Sequence, residues 1–183
     1  MIPLAVTGGV AEGKSTVVGF LRSLGVSTLS ADEIVAGLWQ SSYVLETVCA
    51  VLGLPDGADK PTIRKAMLQD PNGRREVNKI FHPLVWEKIS ASQAFAVEVP
   101  LLIETCLHTR FDRVWVVTCG PKDQLKRLTS RVGDEQIARS LIASQLSTRT
   151  KLAFADEVIR TNSDLSSVEA LVVDAFARHK VRF

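Results

Sequence analysis

Several features that would narrow the protein's class are missing from this chain. It has three cysteines in 183 residues, Cys49, Cys106 and Cys119, and none belongs to a C-x-x-C pair. That leaves neither a disulfide framework nor a zinc ligand set to argue for; reduced, buried thiols are the expectation. No apolar run approaches the roughly 18 residues of a membrane span. Met1–Thr7 is apolar but lacks a basic leader and runs into glycine, so it reads as a strand and not as a secretion signal. A cytoplasmic location without a membrane partner follows as the expectation. Neither charge sign dominates: 22 Lys and Arg face 20 Asp and Glu, a balance that gives no ground for a nucleic-acid partner. Repeats, low-complexity tracts and long linkers are absent too.

What remains is an ordinary globular composition, 46% apolar and 23% charged. Its length suits a single domain spanning 1–183 with at most a subdomain inserted. Apolar runs predict strands at Pro3–Thr7, Ser27–Leu29, Phe95–Val99, Arg113–Thr118 and Val158–Arg160. Helical patterns lie between them, notably Lys14–Leu24 and Pro121–Ser130, the latter opening on a proline. Such alternation is that of an α/β layer structure with a parallel sheet, which binds ligands beyond the carboxyl ends of its strands. Residues 41–90 interrupt it with short helices, expected to break around Pro55, Pro61, Pro71 and Pro83. An insertion of that length suits a second substrate. Between Lys122 and Lys151 seven basic residues face three acidic ones, which fits either a polyanionic small ligand or a solvated helix face.

Gly8-Gly9-Val10-Ala11-Glu12-Gly13-Lys14-Ser15 matches G-x-x-x-x-G-K-[ST], directly after a predicted strand and directly before a predicted helix. The chemistry requires those residue types. Glycines let backbone N–H groups turn toward one point, the helix N-terminus adds positive potential, Lys14 reaches the β- and γ-phosphates, and the Ser15 hydroxyl can ligate Mg²⁺. The ATP site is therefore expected to comprise Gly9, Val10, Ala11, Glu12, Gly13, Lys14, Ser15 and Thr16. A purely structural glycine turn is the alternative. The nearest match to a guanine-reading N/T-K-x-D, Asn78-Lys79-Ile80-Phe81, ends in Phe where Asp must accept, which argues against a regulatory GTPase and leaves a small-molecule kinase. Asp32, just after the second strand, could take or orient an acceptor hydroxyl's proton; a helix N-cap is the alternative.

Taken together the motifs resemble the dephospho-CoA kinases. They are T-G-G-x-x-x-G-K-S-T at Thr7–Thr16, A-D-x-I at Ala31–Ile34, N-K-I-x-H-P at Asn78–Pro83, V-P-L-L-x-E at Val99–Glu104, F-D-R-V at Phe111–Val114, Q-x-x-R-L at Gln124–Leu128, then Gln145 and A-D-x-V-I-x-x-N at Ala155–Asn162. The resemblance implies transfer of the ATP γ-phosphoryl group to the ribose 3′-hydroxyl of dephospho-CoA, with Mg²⁺. It also implies a P-loop kinase fold: a five-stranded parallel sheet flanked by helices, a helical substrate-binding insertion at about 41–90 and a lid at about 131–148. ATP and dephospho-CoA are then the partners of a monomer or weak homo-oligomer.

Asp32, Lys14 and Arg131 take the catalytic roles on that basis. Arg127 and Asn162 join the ATP site, and Asp32, His82, Pro100, Leu101 and Glu104 the acceptor site. His82 could instead be packed at a helix end, and Asn162 could cap a loop. Glu98, near a strand's carboxyl end, could hold Mg²⁺ through water; Gln145 and Lys151 match with less defined roles, and His108 and His179 read as solvated. Three positions depart from the family pattern: Ser30 before Ala31-Asp32, Ala58-Asp59-Lys60 where L-D-R is frequent and Arg64 is the candidate replacement, and Asp164 where Gly is usual. The last raises the question of a positive φ. A kinase for another small metabolite, or a nucleotide-dependent regulatory module without acceptor chemistry, are the competing readings.

Overall fold

The computed structural model describes residues 2–180, so Met1 and residues 181–183 lie outside the account that follows. Five strands form one parallel sheet in the order β2-β3-β1-β4-β5. They are β1 (Ile2–Gly8), β2 (Thr28–Ser30), β3 (Ala96–Glu98), β4 (Phe111–Thr118) and β5 (Glu157–Arg160). All five lie where the apolar runs predict them. The central pair carries the longest such runs because both faces of a parallel sheet are covered: from Leu4 to Gly8 every residue of β1 is buried. Register sets Ala5 opposite both Val97 and Val114, so β1 is flanked by β3 and β4.

Helix α1 (Lys14–Ser23) follows β1 after the glycine-rich loop and buries Val17, Val18 and Leu21. Leu24, expected on that apolar face, caps the helix instead and is exposed. These residues join Leu4, Val6, Trp115, Val117, Ile159 and Val172 in one core. Trp115 is fully buried there, and a residue of that size costs about 3–5 kcal/mol when truncated to Ala. After β4 come α6 (Pro121–Val132), α7 (Glu135–Ala143) and the one-turn α8 (Thr148–Lys151), and α9 (Leu165–Lys180) follows β5.

The chain divides into two compact units, the sheet unit up to Ser30 and from Gln93 onward, and a helical unit, Ala31–Ser92. The helical unit thus starts at Ala31, ten residues before the sequence pattern suggests. It holds α2 (Ala31–Leu38), α3 (Ser42–Leu52), α4 (Lys60–Gln69) and α5 (Pro71–Ala91). Pro61 and Pro71 open helices as the sequence suggests, but Pro83 does not break α5, which runs 21 residues through it. Burial of Val77, Phe81, Val85 and Ile89, one turn apart along a single stripe, outweighs the hydrogen bond that the proline removes. Trp39 packs on Phe81 with ring centroids 4.7 Å apart. No single described helix is long and apolar enough to cross a membrane.

Three further expectations change. Cys106 is exposed, whereas Cys49 and Cys119 are buried. His179 is not solvated: its ring lies against Trp115 and its Nε2 is 3.4 Å from Glu157 Oε2. His108 is likewise half-buried against Phe154. At Asp164 the backbone has no positive φ; its carboxylate instead accepts from Ser167 N at 2.9 Å and from the Ser166 and Ser167 hydroxyls, capping α9. Those donors, Ser166 first, hold the carboxyl well below the ordinary range.

A depressed folded-state pKa means the stabilisation is present above the unfolded value near 3.8 and fades as pH falls below it. Asp164→Ala is therefore expected to lower Tm at pH 7. Melting curves from pH 7 to pH 2 should show the gap to the unmodified chain closing below about pH 4; a gap of constant size would refute the capping role.

Candidate functional site

The glycine-rich loop is built by the strand that precedes it and the helix that follows it. Gly8, at φ 153°, lies so close to β4 that a Cβ would stand 2.4 Å from the Val117 carbonyl oxygen, which as backbone cannot yield. Gly13, at φ 91°, ends the loop against Thr161, with a Cβ position 3.0 Å from its Oγ1. Ala11 between them adopts φ 61°, a left-handed conformation that costs a residue with a Cβ of order 1–2 kcal/mol. Such strain persists only where the surroundings over-determine it.

The surroundings here are side chains from four other segments. Gln124 Nε2 donates to Val10 O at 3.0 Å, and Val10 N donates to Gln145 Oε1 at 2.9 Å, so both polar groups of one loop residue are held. Thr161 Oγ1 donates to Glu12 O at 2.7 Å. Glu12, 1% exposed, turns its carboxylate inward. Gly9 N donates to its Oε2 at 2.5 Å, Thr148 Oγ1 to the same oxygen at 2.6 Å, and Thr118 Oγ1 to Oε1 at 2.9 Å. Lys14 Nζ donates to Gly9 O at 2.9 Å and its side chain lies largely buried beneath the loop. Ser15 is exposed in the first turn of α1, where N–H groups lack intrahelical acceptors and the helix dipole favours an anion.

Of the other expected site residues, Arg127 donates to Thr161 O at 2.5 Å and to Thr161 Oγ1 at 3.3 Å, which brings its guanidinium beside the loop. Arg131 is exposed in the last turn of α6, and Asn162 is exposed just after β5. Pro100, Leu101 and Glu104 form the turn after β3. Thr7 Oγ1 donates to Pro100 O at 3.3 Å, and Lys151 Nζ donates to the same oxygen at 2.9 Å. Lys151, fully buried, also pairs with Glu104 Oε1 at 2.9 Å, and that oxygen accepts from Leu146 N at 3.0 Å. Glu104 is thus an internal strut in the sheet unit, and Lys151, not a solvated residue of a basic face, is its partner.

Asp32 and His82 belong to the helical unit. Asp32 is exposed in the first turn of α2; because α2 already begins at Ala31, Asp32 is not its N-cap. His82 is exposed in the middle of α5, so it does not pack at a helix end. Asp59 caps α4 by accepting from Thr62 N at 2.9 Å, while Lys60 and Arg64 line a cavity of about 450 Å³ with Trp39, Ile63 and Met67. Among the described residues no group of three or more His, Cys, Asp and Glu could hold a metal ion. Sequence reasoning missed Thr118, Thr148 and Thr161. The one local signal was threonine at the carboxyl ends of β1 and β4 and just beyond β5, where buried hydroxyls can brace a loop.

Cys119 lies at the edge of the loop. Burial pushes its thiol pKa up, with Arg127 opposing and Glu12 and Asp123 reinforcing the shift. A raised pKa leaves less thiolate at any given pH. Limited alkylation with iodoacetamide at pH 7.5, read by peptide mass spectrometry, is expected to modify exposed Cys106 well before Cys119; equal labelling in folded protein would contradict this environment.

Comparison with known proteins bears directly on this site. A family model described as dephospho-CoA kinase matches residues 2–167. The chain is 33% identical over 187 residues to the dephospho-CoA kinase of Nitrosospira multiformis, covering 94% of this chain and 93% of that one. Two solved structures share the fold. One, from Thermus thermophilus, superposes with a TM-score of 0.80 at 23% identity over 97% of both chains. The other, a dephospho-CoA kinase from Campylobacter jejuni, has a TM-score of 0.71 at 24% identity, covering 99% of this chain and 98% of that one.

Proposed function

Because the chain belongs to the dephospho-CoA kinase family and so phosphorylates dephospho-CoA at the expense of ATP, we propose a division of labour among its residues. The phosphoryl group goes to the ribose 3′-hydroxyl. The loop Gly9–Thr16 receives the triphosphate, and the observation that carries this is the braced loop at the N-terminus of α1 with Lys14 already beside it at 2.9 Å from Gly9 O. On nucleotide binding Lys14 exchanges that carbonyl for phosphate oxygens. Arg127, anchored through Thr161, presents its planar guanidinium on the adenine side with Asn162. Arg131, exposed four residues along the same helix, enters the phosphate site when a lid at about 131–148 closes.

Asp32 acts on the acceptor by orienting the 3′-hydroxyl or taking its proton; His82 in the helical unit, and Pro100, Leu101 and Glu104 in the sheet unit, are each assigned to the acceptor. Glu104 contributes there by fixing the turn through Lys151, so that Pro100 and Leu101 do the contacting. Mg²⁺ fits the residues present: the exposed Ser15 hydroxyl is a hard oxygen donor beside the loop, and this ion needs only one or two protein ligands when phosphates supply the rest. Bound with ATP, it neutralises phosphate charge during transfer. We assign the enzyme to the cytoplasm, as a monomer or weak homo-oligomer. A coupled assay with ATP, Mg²⁺ and dephospho-CoA, with the product's phosphate position read by NMR, tests the reaction; phosphate at any position but 3′ would refute it.

Lys14→Ala is expected to fold and to lose roughly 10²- to 10³-fold in turnover, the range for removing one preorganised charge-stabilising donor. Near-normal turnover in a folded variant would remove Lys14 from the site. Asp32→Asn keeps the size and one acceptor oxygen but not the charge, so a general base would lose at least ~10²-fold in kcat with ATP affinity little changed. Loss of ATP and Mg²⁺ binding in this variant would instead make Asp32 a metal-site residue.

A further inference from the structure

We propose that Glu12 and Thr148 are positioning residues for phosphoryl transfer: the buried carboxylate ties the phosphate loop to the segment that returns from α7, and the loop's catalytic shape depends on that tie. The inference rests on reading Gly9–Thr16 as the triphosphate site. It begins from an apparent waste. A carboxylate that is 1% exposed has left water, and among the described residues it forms no ion pair. The ammonium nearest in sequence, Lys14, is turned to the Gly9 carbonyl. A buried polar group is costly unless it is hydrogen-bonded, and this one lies in a loop read as receiving the triphosphate. A small side chain at this position would avoid both penalties.

What a carboxylate adds is two acceptor oxygens at the end of a two-carbon reach. Oε2 accepts simultaneously from Gly9 N, within the loop, and from Thr148 Oγ1, 136 residues further along the chain. Oε1 accepts from Thr118 Oγ1 at the end of β4, and the same hydroxyl accepts from Gly120 N at 3.1 Å. Glu12 therefore ties the α8 segment, which no strand pairing reaches, to the loop and to the end of β4, where the β1–β4 pairing stops at Gly8 opposite Val117.

Beside that junction lies a cavity of about 360 Å³, lined by Gly9, Glu12, Gln124, Gln145 and Thr148 among others, so apolar packing between the loop and the returning segment is incomplete. Across such a gap polar contacts set the separation: Thr148 to Glu12, and Gln145 to Val10 N. The far end of α8 is fixed independently, through Lys151 to Pro100 O and Glu104. A one-turn helix pinned at one end to the turn after β3 and at the other to the phosphate loop transmits the position of one to the other. Residue 148 also marks the end of the proposed lid segment, so the tie sits where lid movement meets the loop. Ala11, strained at φ 61° directly before Glu12, is the residue that such a tie keeps in place.

The test uses the full chain with Thr148→Val, which removes the hydroxyl at nearly constant shape, Thr148→Ser, which keeps it, Glu12→Gln, and the Glu12→Gln/Thr148→Val pair. Two readouts run in parallel: MgADP binding by calorimetry, which needs no acceptor, and kcat and KM for ATP with dephospho-CoA. Losing a hydrogen bond to a charged group predicts a roughly ten- to hundredfold fall in kcat/KM for Thr148→Val. Thr148→Ser is expected to stay within about threefold, since the bond persists. The double variant should lose no more than the worse single one, the mark of two groups acting through one contact.

Wild-type behaviour in Thr148→Val, equal impairment in Ser and Val variants, or multiplicative losses in the pair would each overturn the proposal. Should Thr148→Val fail to fold, the serine variant and Glu12→Gln decide it, by retained activity in the first and reduced kcat/KM in the second. If the unmodified chain binds MgADP but transfers nothing to dephospho-CoA, the acceptor reading fails, and the binding arm still reports on the tie.

Discussion

A carboxyl group taken out of water must be met by hydrogen-bond partners, and the way Glu12 is met organises the carboxyl edge of this sheet. Its three donors come from the phosphate loop itself, from the end of β4 and from α8. Each of those segments carries a second contact that holds it in turn: Val10 between Gln124 and Gln145, Thr118 beneath Gly120 N, and α8 through Lys151. The loop's shape is thus held by contacts from outside it. Preorganisation of this kind matters for phosphoryl transfer, where the protein has little covalent chemistry to perform and acts mainly by holding donors where charge will be.

The same logic separates the residues that build the site from those that act in it. Buried Lys151 and the more exposed Glu104 form a pair that consumes both side chains in fixing the turn after β3. Gln124, Thr118 and Thr161 are likewise spent on backbone atoms or on Glu12. Ser15, Arg131 and Asn162, which the proposed function assigns to ligands, are exposed instead. The motifs shared with the family contain residues of both kinds. Only burial and hydrogen-bond partners tell them apart.

Departures from the family pattern also resolve into local physics. Asp164 stands where glycine is usual, yet no positive φ is required there, and its carboxylate caps α9 by accepting from Ser167 N. Asp59, the residue of Ala58-Asp59-Lys60 that the family's L-D-R shares, does the same for α4 with Thr62 N. Ala11 is the reverse case: a residue with a Cβ in a left-handed position that glycine would occupy without strain. Surface helix ends accept such exchanges easily, whereas a strained loop needs bracing from outside.

Much of this architecture was legible in the amino-acid order, and the reason is that the relevant signals are local. Strand runs, the glycine spacing of Gly8–Ser15 and the prolines opening α4, α5 and α6 act within one or two turns of chain, so the five strands, the loop and the flanking helix could be read directly. Proline at position 83 misled for the same reason: its local penalty was visible, while the stripe Val77-Phe81-Val85-Ile89 that outweighs it acts through packing. The partners of the threonines that brace the loop were not legible, even where position at a strand's carboxyl end was. Thr118, Thr148 and Thr161 lie 106 to 149 positions from Glu12, and a hydroxyl carries no sequence signature until the fold brings an acceptor within about 3 Å. The chain order by itself determined that a phosphate loop would form between a buried strand and a helix; the tertiary structure alone decided which distant side chains hold it, because a hydrogen bond depends on distance in space and not on separation along the chain.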